Sequence, residues 1–193
     1  IGLTHCIHDF WNYGNYHKEV GTQAKVITAL GMFYDMEDPN QFISDAAKAL
    51  TEGGVFIAQL MCLKNMMDTN DVGNICHEHL EFYSFHSLEY LFEHNGLEVF
   101  DVETNNVNGA SYRFFARKKG ADVTPAEGAD ERIARVRQDE EGLADKKVHL
   151  EFFERLEANK RKCVAFIKRE VAKGKKVWVY GASTKGNVIL QYY

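Results

Sequence analysis

Several features that would mark a secreted or membrane-embedded protein are missing from this sequence of 193 residues. Its four cysteines include no Cys-x-x-Cys pair, so neither a disulfide scaffold nor a closed zinc site is indicated. No apolar run approaches the roughly 20 residues that span a bilayer. No charged-then-apolar leader opens the chain. We therefore predict a cytoplasmic protein with reduced thiols and no membrane partner.

Clusters of basic residues are also scarce. The formal net charge is −5, and no Lys/Arg-rich patch stands out apart from residues 173–176. A nucleic-acid partner held through its phosphates is therefore not expected. The chain does have 45% hydrophobic and 26% charged residues, a composition typical of a globular protein with a full core.

Hydrophobic patterning in the first third of the chain predicts a β-α-β unit. Residues 24–30 and 55–61 are short apolar runs, typical of strands buried on both faces of a parallel sheet. Between them, Asp38-Pro39 provides a capping acid and a first-turn proline, and apolar residues follow at helical spacing until Gly53-Gly54. Such a unit places its two strands side by side and parallel.

The rest of the chain predicts a helix, an antiparallel hairpin and long charged helices. Ser87 is the predicted cap of the helix, and residues 97–103 and 111–117 are the predicted hairpin strands at the sheet edge. Residues 129–173 have the apolar spacing of one or two amphipathic helices. A new short strand is predicted at residues 177–180.

Reactive side chains are most concentrated in residues 74–87, where His77, His79 and His86 occur with two glutamates within ten residues. A histidine beside a carboxylate suits either proton transfer or metal ligation. On a strand, His77 and His79 would point the same way as Glu81, as a metal site requires. Because the spacing does not fit a His-Glu-x-x-His motif, proton transfer is the favoured interpretation.

Four segments of this chain, residues 25–35, 74–87, 107–111 and 180–187, together resemble the sugar C-methyltransferase family. That family methylates a carbon of nucleotide-linked keto-deoxysugars with S-adenosylmethionine. The resemblance implies an α/β fold: the C-terminal half of a Rossmann-like class I methyltransferase sheet, then long amphipathic helices and the start of a second Rossmann-like domain. The implied domains are a partial methyltransferase domain at residues 1–120, a helical linker at 121–174 and a substrate domain from 175 to 193.

The resemblance also implies roles for individual residues, without a metal. His79 would be the general base that takes a proton from the carbon next to the keto group, and Glu78 would orient or tune it. The cofactor would be held by residues near the N-terminus and after the first predicted strand: Asp9, Phe10, Leu30, Gly31, Met32 and Phe33. The nucleotide-sugar substrate would contact residues from three segments: Cys76, His77, Asn108, Gly109, Ser111, Tyr180, Ser183 and Lys185.

Two departures from the family pattern bear on these expectations. Cys76 stands where family members have a tyrosine, and the glycine-rich turn and ribose-binding acid of the cofactor site do not occur. The chain is therefore expected to be a fragment that binds the cofactor weakly. A non-catalytic Rossmann-like module, with its exposed sheet edge covered in a homo-oligomer, is the alternative. A metal-dependent enzyme that uses the histidines ranks below both.

Overall fold

The computed structural model describes residues 4–181 and 183–193, so that Ala182 of the segment 180–187 lies outside the described residues. The described chain packs as two compact units. The first comprises residues 4–62 and 80–140, and the second comprises residues 63–79 and 141–193. The domain boundaries predicted at residues 120 and 174 divide the sequence into segments, and they stay predictions.

The helices and strands of the described residues follow one another in chain order. They are α1 (Tyr13–Val20), β1 (Ala24–Leu30), α2 (Pro39–Ala49), β2 (Leu50–Met61), α3 (Leu63–Thr69), α4 (Phe85–His94), β3 (Leu97–Asn105), β4 (Ser111–Lys118), α5 (Ala129–Asp139), α6 (Lys146–Ala172) and α7 (Thr184–Tyr192). Short 3-10 turns occur at Phe33–Asp35, Val72–Asn74 and Val107–Gly109.

The first unit is built on one four-stranded sheet with the order β1-β2-β4-β3. Strands β1 and β2 are parallel neighbours joined through α2, and the side chain of Asp38 caps that helix. Strand β4 pairs antiparallel with both β2 and β3. The predicted α/β fold, with its parallel pair and its antiparallel hairpin at the edge, is confirmed.

Aromatic side chains fill the core of the first unit. Phe33, Phe42, Phe56, Phe92 and Phe114 form a continuous cluster with ring centroids 5.1–6.4 Å apart. Each buried phenylalanine contributes about 1.5–3 kcal/mol, so this cluster accounts for much of the sheet's stability. The cluster includes Phe33 in the loop after β1, which fixes that loop against the sheet.

Two buried carboxylates attach α5 and its C-terminal cap to the sheet. Glu140 accepts hydrogen bonds from Tyr112 Oη (2.6 Å) and from the backbone N–H of Phe85 (2.7 Å). Asp101 accepts from Nε and Nη2 of Arg132 at 2.8 and 2.7 Å. Burial raises the pKa of Glu140 above its ordinary value, and these hydrogen bonds oppose that effect.

Two predictions about the β-α-β unit are wrong. Helix α2 ends at Ala49, and Gly53-Gly54, the predicted stop of that helix, lies inside β2. Strand β1 lies at the sheet edge with only Ala29 buried, so it is not covered on both faces.

Two further sequence-based predictions about secondary structure are wrong. Helix α4 begins at Phe85, and its N-cap is Ser84, whose Oγ accepts a hydrogen bond from the N–H of Ser87. Ser87 is therefore the third residue of α4, the position whose backbone N–H a capping side chain contacts. Residues 177–180 lie in no strand of the described chain. Their side chains are exposed. A β-branched run forms a strand only where another strand pairs with it, which explains why none forms here.

Helices α3, α6 and α7 form the second unit. Arg155 of α6 donates to Met67 O and to Asn70 Oδ1, both at 2.9 Å, and so binds the end of α3. Tyr192 of α7 donates to Glu157 Oε1 of α6 at 2.5 Å. Within residues 4–181 and 183–193, no helix combines the length and the apolar character needed to cross a bilayer.

Candidate functional site

His79 is held by a backbone carbonyl of the second unit. Its Nδ1 lies 2.8 Å from Asn74 O. A carbonyl oxygen can only accept, so Nδ1 carries the hydrogen and the lone pair of the neutral ring lies on Nε2. The backbone N–H of His79 also donates to Cys76 O at 3.2 Å, which fixes the ring's attachment point. This arrangement selects the tautomer that a general base working through Nε2 requires.

The Asn74 carbonyl belongs to a turn that is itself tightly held. Asn74 is only 3% exposed, and its Nδ2 donates to Asp71 Oδ2 at 2.7 Å. The N–H of Ile75 closes the 3-10 turn by donating to Val72 O at 3.0 Å. Sequence reasoning did not assign roles to Asn74 or Asp71. The signal in the sequence was an asparagine three residues after an aspartate, a spacing that suits a side-chain hydrogen bond across one turn.

Glu78 faces its other neighbours. Its Oε2 lies 3.4 Å from His77 Nδ1, and its pKa is lowered mainly by a hydrogen bond from its own backbone and then by Cys76 and the two histidines. Burial raises the pKa of the Cys76 thiol. Asn74 O is therefore a hydrogen-bond partner that orients His79. A tuning role for Glu78 stays a prediction.

A cavity of about 530 Å³ in the second unit brings two of the predicted motifs together. Residues Cys76, His77 and Glu78 form one side, and Thr184 and Asn187 of α7 form another. The remaining lining residues come from the turn before Cys76 and from the facing sides of α6 and α7: Val72, Ile75, Phe153, Leu156, Val188, Gln191 and Tyr192. An open, mostly apolar cavity with a few polar groups is the kind of site that takes a small molecule.

The three residues of segment 180–187 that were predicted to contact the substrate lie in different surroundings. Ser183 Oγ caps α7 by accepting from the N–H of Gly186 at 3.2 Å, and Tyr180 is fully exposed. Lys185 Nζ lies 3.1 Å from Asp71 Oδ2. Thr184 and Asn187 were missed, although their three-residue spacing at the start of a predicted helix would put them on one face.

The predicted substrate loop of the first unit has a strained backbone. Asn108, Gly109 and Ala110 have φ values of 55°, 90° and 130° in succession. Ser111 is buried, and its Oγ donates to Val107 O at 2.8 Å, so it holds the loop closed. Left-handed conformations at non-glycine residues cost energy and often occur at ligand sites. Substrate contact by this loop stays a prediction.

The residues predicted to hold S-adenosylmethionine lie in the first unit and include exposed apolar surface that fits an adenosyl group. Phe10 is 91% exposed, and Leu30 is exposed at the carboxyl end of β1 beside Gly31, whose φ is +70°. Asp9 accepts from the N–H of Phe10 at 2.7 Å and from Asn15 Nδ2 at 2.8 Å, and with Phe10 it lines a cavity of about 160 Å³. Met32 is half-buried against the core, and the Phe33 ring is fully buried within it.

The side chains of the histidine segment at residues 74–87 are not grouped as the ligands of a metal ion are. The segment forms no strand in the structure, and the described chain has no group of three histidine, cysteine, aspartate or glutamate side chains placed to hold a metal ion. The alternative of a metal-dependent enzyme therefore gains no support from the geometry.

Comparison with protein families divides the chain into two matches. Residues 4–102 match the family model described as a methyltransferase domain, and residues 106–193 match the C-methyltransferase C-terminal domain. The C-methyltransferase NovU from Streptomyces niveus is 31% identical over 176 residues, which are 90% of this chain and 41% of that protein. The chain thus spans about two fifths of the length of this curated relative.

Solved structures with a similar arrangement share little sequence with this chain. A S-adenosylmethionine-dependent methyltransferase from Clostridium acetobutylicum is 13% identical, with a TM-score of 0.42, and the match covers 52% of this chain and 60% of that one. A second such enzyme, from Thermotoga maritima, is 16% identical with a TM-score of 0.39 and the same two coverages.

Proposed function

This chain belongs to the methyltransferase family, and from that membership we propose that the protein containing it methylates a carbon atom with S-adenosylmethionine. The match of residues 106–193 to the C-methyltransferase C-terminal domain supports carbon as the acceptor. The name of the relative NovU supports the same chemistry. The proposed substrate is a nucleotide-linked keto-deoxysugar, methylated next to its keto group.

The reaction requires a nucleophilic carbon, which a base creates by taking the proton next to the keto group and leaving an enolate. His79 is the proposed base. Its Nε2 would take the C–H proton, while the electron pair of that bond moves into the enolate and the imidazolium keeps its Nδ1–H bond to Asn74 O. Bound S-adenosylmethionine supplies the electrophilic methyl group.

The observation that carries the proposal is the 2.8 Å contact between His79 Nδ1 and Asn74 O. Among the histidines of the segment, His77 is instead beside Glu78, with its side chain 90% exposed. A hydrogen-bonded, oriented ring loses less freedom when it acts, and such orientation is what general bases need. Asp9, Phe10, Leu30 and the backbone at Gly31 would hold the cofactor.

The experiment compares His79→Ala with His94→Ala in the full-length protein, with S-adenosylmethionine and a nucleotide-linked keto-deoxysugar. His94 is the matched control because it is an exposed histidine of α4. Mass spectrometry follows the addition of one methyl group. We expect His79→Ala to lower the rate by about 10²–10⁴-fold, the usual contribution of a general base. An unchanged rate in His79→Ala would exclude His79 as the base.

A further inference from the structure

We propose that Asp71 and Lys185 are positioning residues for His79, because their ion pair holds the turn whose carbonyl orients the imidazole. This inference rests on the proposed role of His79. It assigns to Lys185 a task different from the substrate contact that the sequence predicts.

Asp71 controls both ends of Asn74. Its Oδ2 accepts from Asn74 Nδ2 at 2.7 Å, and its backbone oxygen accepts from the Asn74 N–H at 3.4 Å. The Asn74 carbonyl shares a peptide plane with the Ile75 N–H, which donates to Val72 O at 3.0 Å, so the turn that Asp71 holds at Asn74 directs this carbonyl to His79 Nδ1. The orientation of the His79 ring therefore depends on the position of the Asp71 carboxylate, because that carboxylate holds Asn74.

Lys185 fixes that carboxylate from α7. Its Nζ lies 3.1 Å from Asp71 Oδ2, the same oxygen that binds Asn74. The two side chains are partly exposed, so the pair contributes modest stability, but a shared oxygen ties the lysine directly to the turn.

The backbone of the turn also touches Lys185. A Cβ placed on Gly73 would lie 3.0 Å from Lys185 Cβ, so only glycine lets α7 approach this closely. The N-terminus of α7 is fixed in turn by the Ser183 cap. The start of α7 and the turn before His79, 114 residues apart from Asp71 to Lys185, thus form one packed support.

The test uses three variants of the full-length protein: Lys185→Met, Asp71→Asn and the conservative Lys185→Arg. Deuterium exchange next to the keto group of the sugar, with S-adenosylhomocysteine bound, measures proton abstraction. The KM of the sugar is measured in the methyl-transfer assay. Nitrogen-15 NMR of the histidine rings, assigned with His79→Gln, reports the tautomer of His79. Thermal unfolding confirms that each variant folds, and the partly exposed Lys185 is the mildest site to change.

We expect Lys185→Met and Asp71→Asn to slow deuterium exchange about tenfold, because the free-energy contribution of one hydrogen bond corresponds to a rate change of that size. The KM stays unchanged, the His79 ring shifts from pure Nδ1–H to a tautomer mixture, and Lys185→Arg retains the wild-type tautomer and rate. A raised KM in Lys185→Met with an unchanged tautomer and exchange rate would overturn the proposal in favour of substrate contact. If His79→Gln exchanges at the wild-type rate while the tautomer still responds to Asp71→Asn, positioning stands and the proposed base fails.

Discussion

Replacing Tyr112 with phenylalanine removes the hydroxyl that donates to Glu140 Oε1 at 2.6 Å. Both residues are buried, with exposed fractions of 4% and 8%, so water cannot replace the lost donor. A hydrogen bond to a charged group contributes about 1.5–3 kcal/mol, and we take about 2 kcal/mol for this one. Such a loss lowers the protection of the amides in α5 roughly 30-fold, since about 1.4 kcal/mol is a factor of ten.

The cost should depend on pH in a defined direction. The hydrogen bond from Tyr112 favours the charged form of Glu140, so its removal raises the pKa of Glu140 further above the ordinary value of 4.5. The full cost is therefore present above the folded pKa that Glu140 has in the variant. It falls as the pH drops from that pKa to the lower one of the wild type, because the protonated carboxyl makes a weaker, neutral hydrogen bond of about 1 kcal/mol.

The assay is hydrogen–deuterium exchange of α5, expressed as protection factors that correct for the intrinsic effect of pH. Tyr90→Phe is the matched control, since Tyr90 is 68% exposed and its hydroxyl should contribute under about 0.5 kcal/mol. Equal effects of Tyr112→Phe and Tyr90→Phe would refute the reasoning. A cost that grows as the pH falls would refute its electrostatic part.

Two further substitutions test how each unit is held together. Gly73→Ala places a methyl group 3.0 Å from a side-chain carbon of α7, so we expect a loss of about 1–2 kcal/mol in thermal unfolding. Gly53→Ala, with nothing within 4 Å of the added carbon, is its control, and equal losses would contradict the close packing. Arg132→Met removes two guanidinium hydrogen bonds from the buried Asp101, so we expect it to lower the midpoint of thermal unfolding, by less than the loss of a fully buried pair because the arginine is partly exposed. Arg135→Met, which breaks an exposed pair, should cost almost nothing, and an equal cost would show that α5 is anchored otherwise.

The parts of the fold that local chemistry specifies were predictable from the sequence. The strand at Ala24–Leu30 and the Asp38-Pro39 start of α2 were assigned correctly, because strand propensity and capping act over a few residues, whereas the predicted burial of that strand on both faces was wrong. The strand predicted at residues 177–180 is absent from the described structure because a strand also requires a partner. Ser84 and Ser87 compete as caps, and the backbone of Ser84, extended at φ −84° and ψ 160°, decides between them.

The candidate site was predictable only in its reactive groups. The Glu78-His79 pair attracts attention by its chemistry, and the role of Glu78 in orienting or tuning His79 stays a prediction. The hydrogen bond of His79 to the Asn74 carbonyl could not be predicted, because a backbone carbonyl has no sequence signature. Nor can spacing along the chain reveal that Lys185 meets Asp71, because that contact arises only when α7 packs on the turn.

Deuterium incorporation into the keto-sugar is the most direct test of His79 as the base. The full-length protein is incubated in heavy water with a nucleotide-linked keto-deoxysugar and S-adenosylhomocysteine, so that no methyl transfer can follow proton abstraction. One deuterium should enter at the carbon next to the keto group, and His79→Ala should slow its entry by about 10²-fold or more. Incorporation at the wild-type rate in His79→Ala would contradict the account.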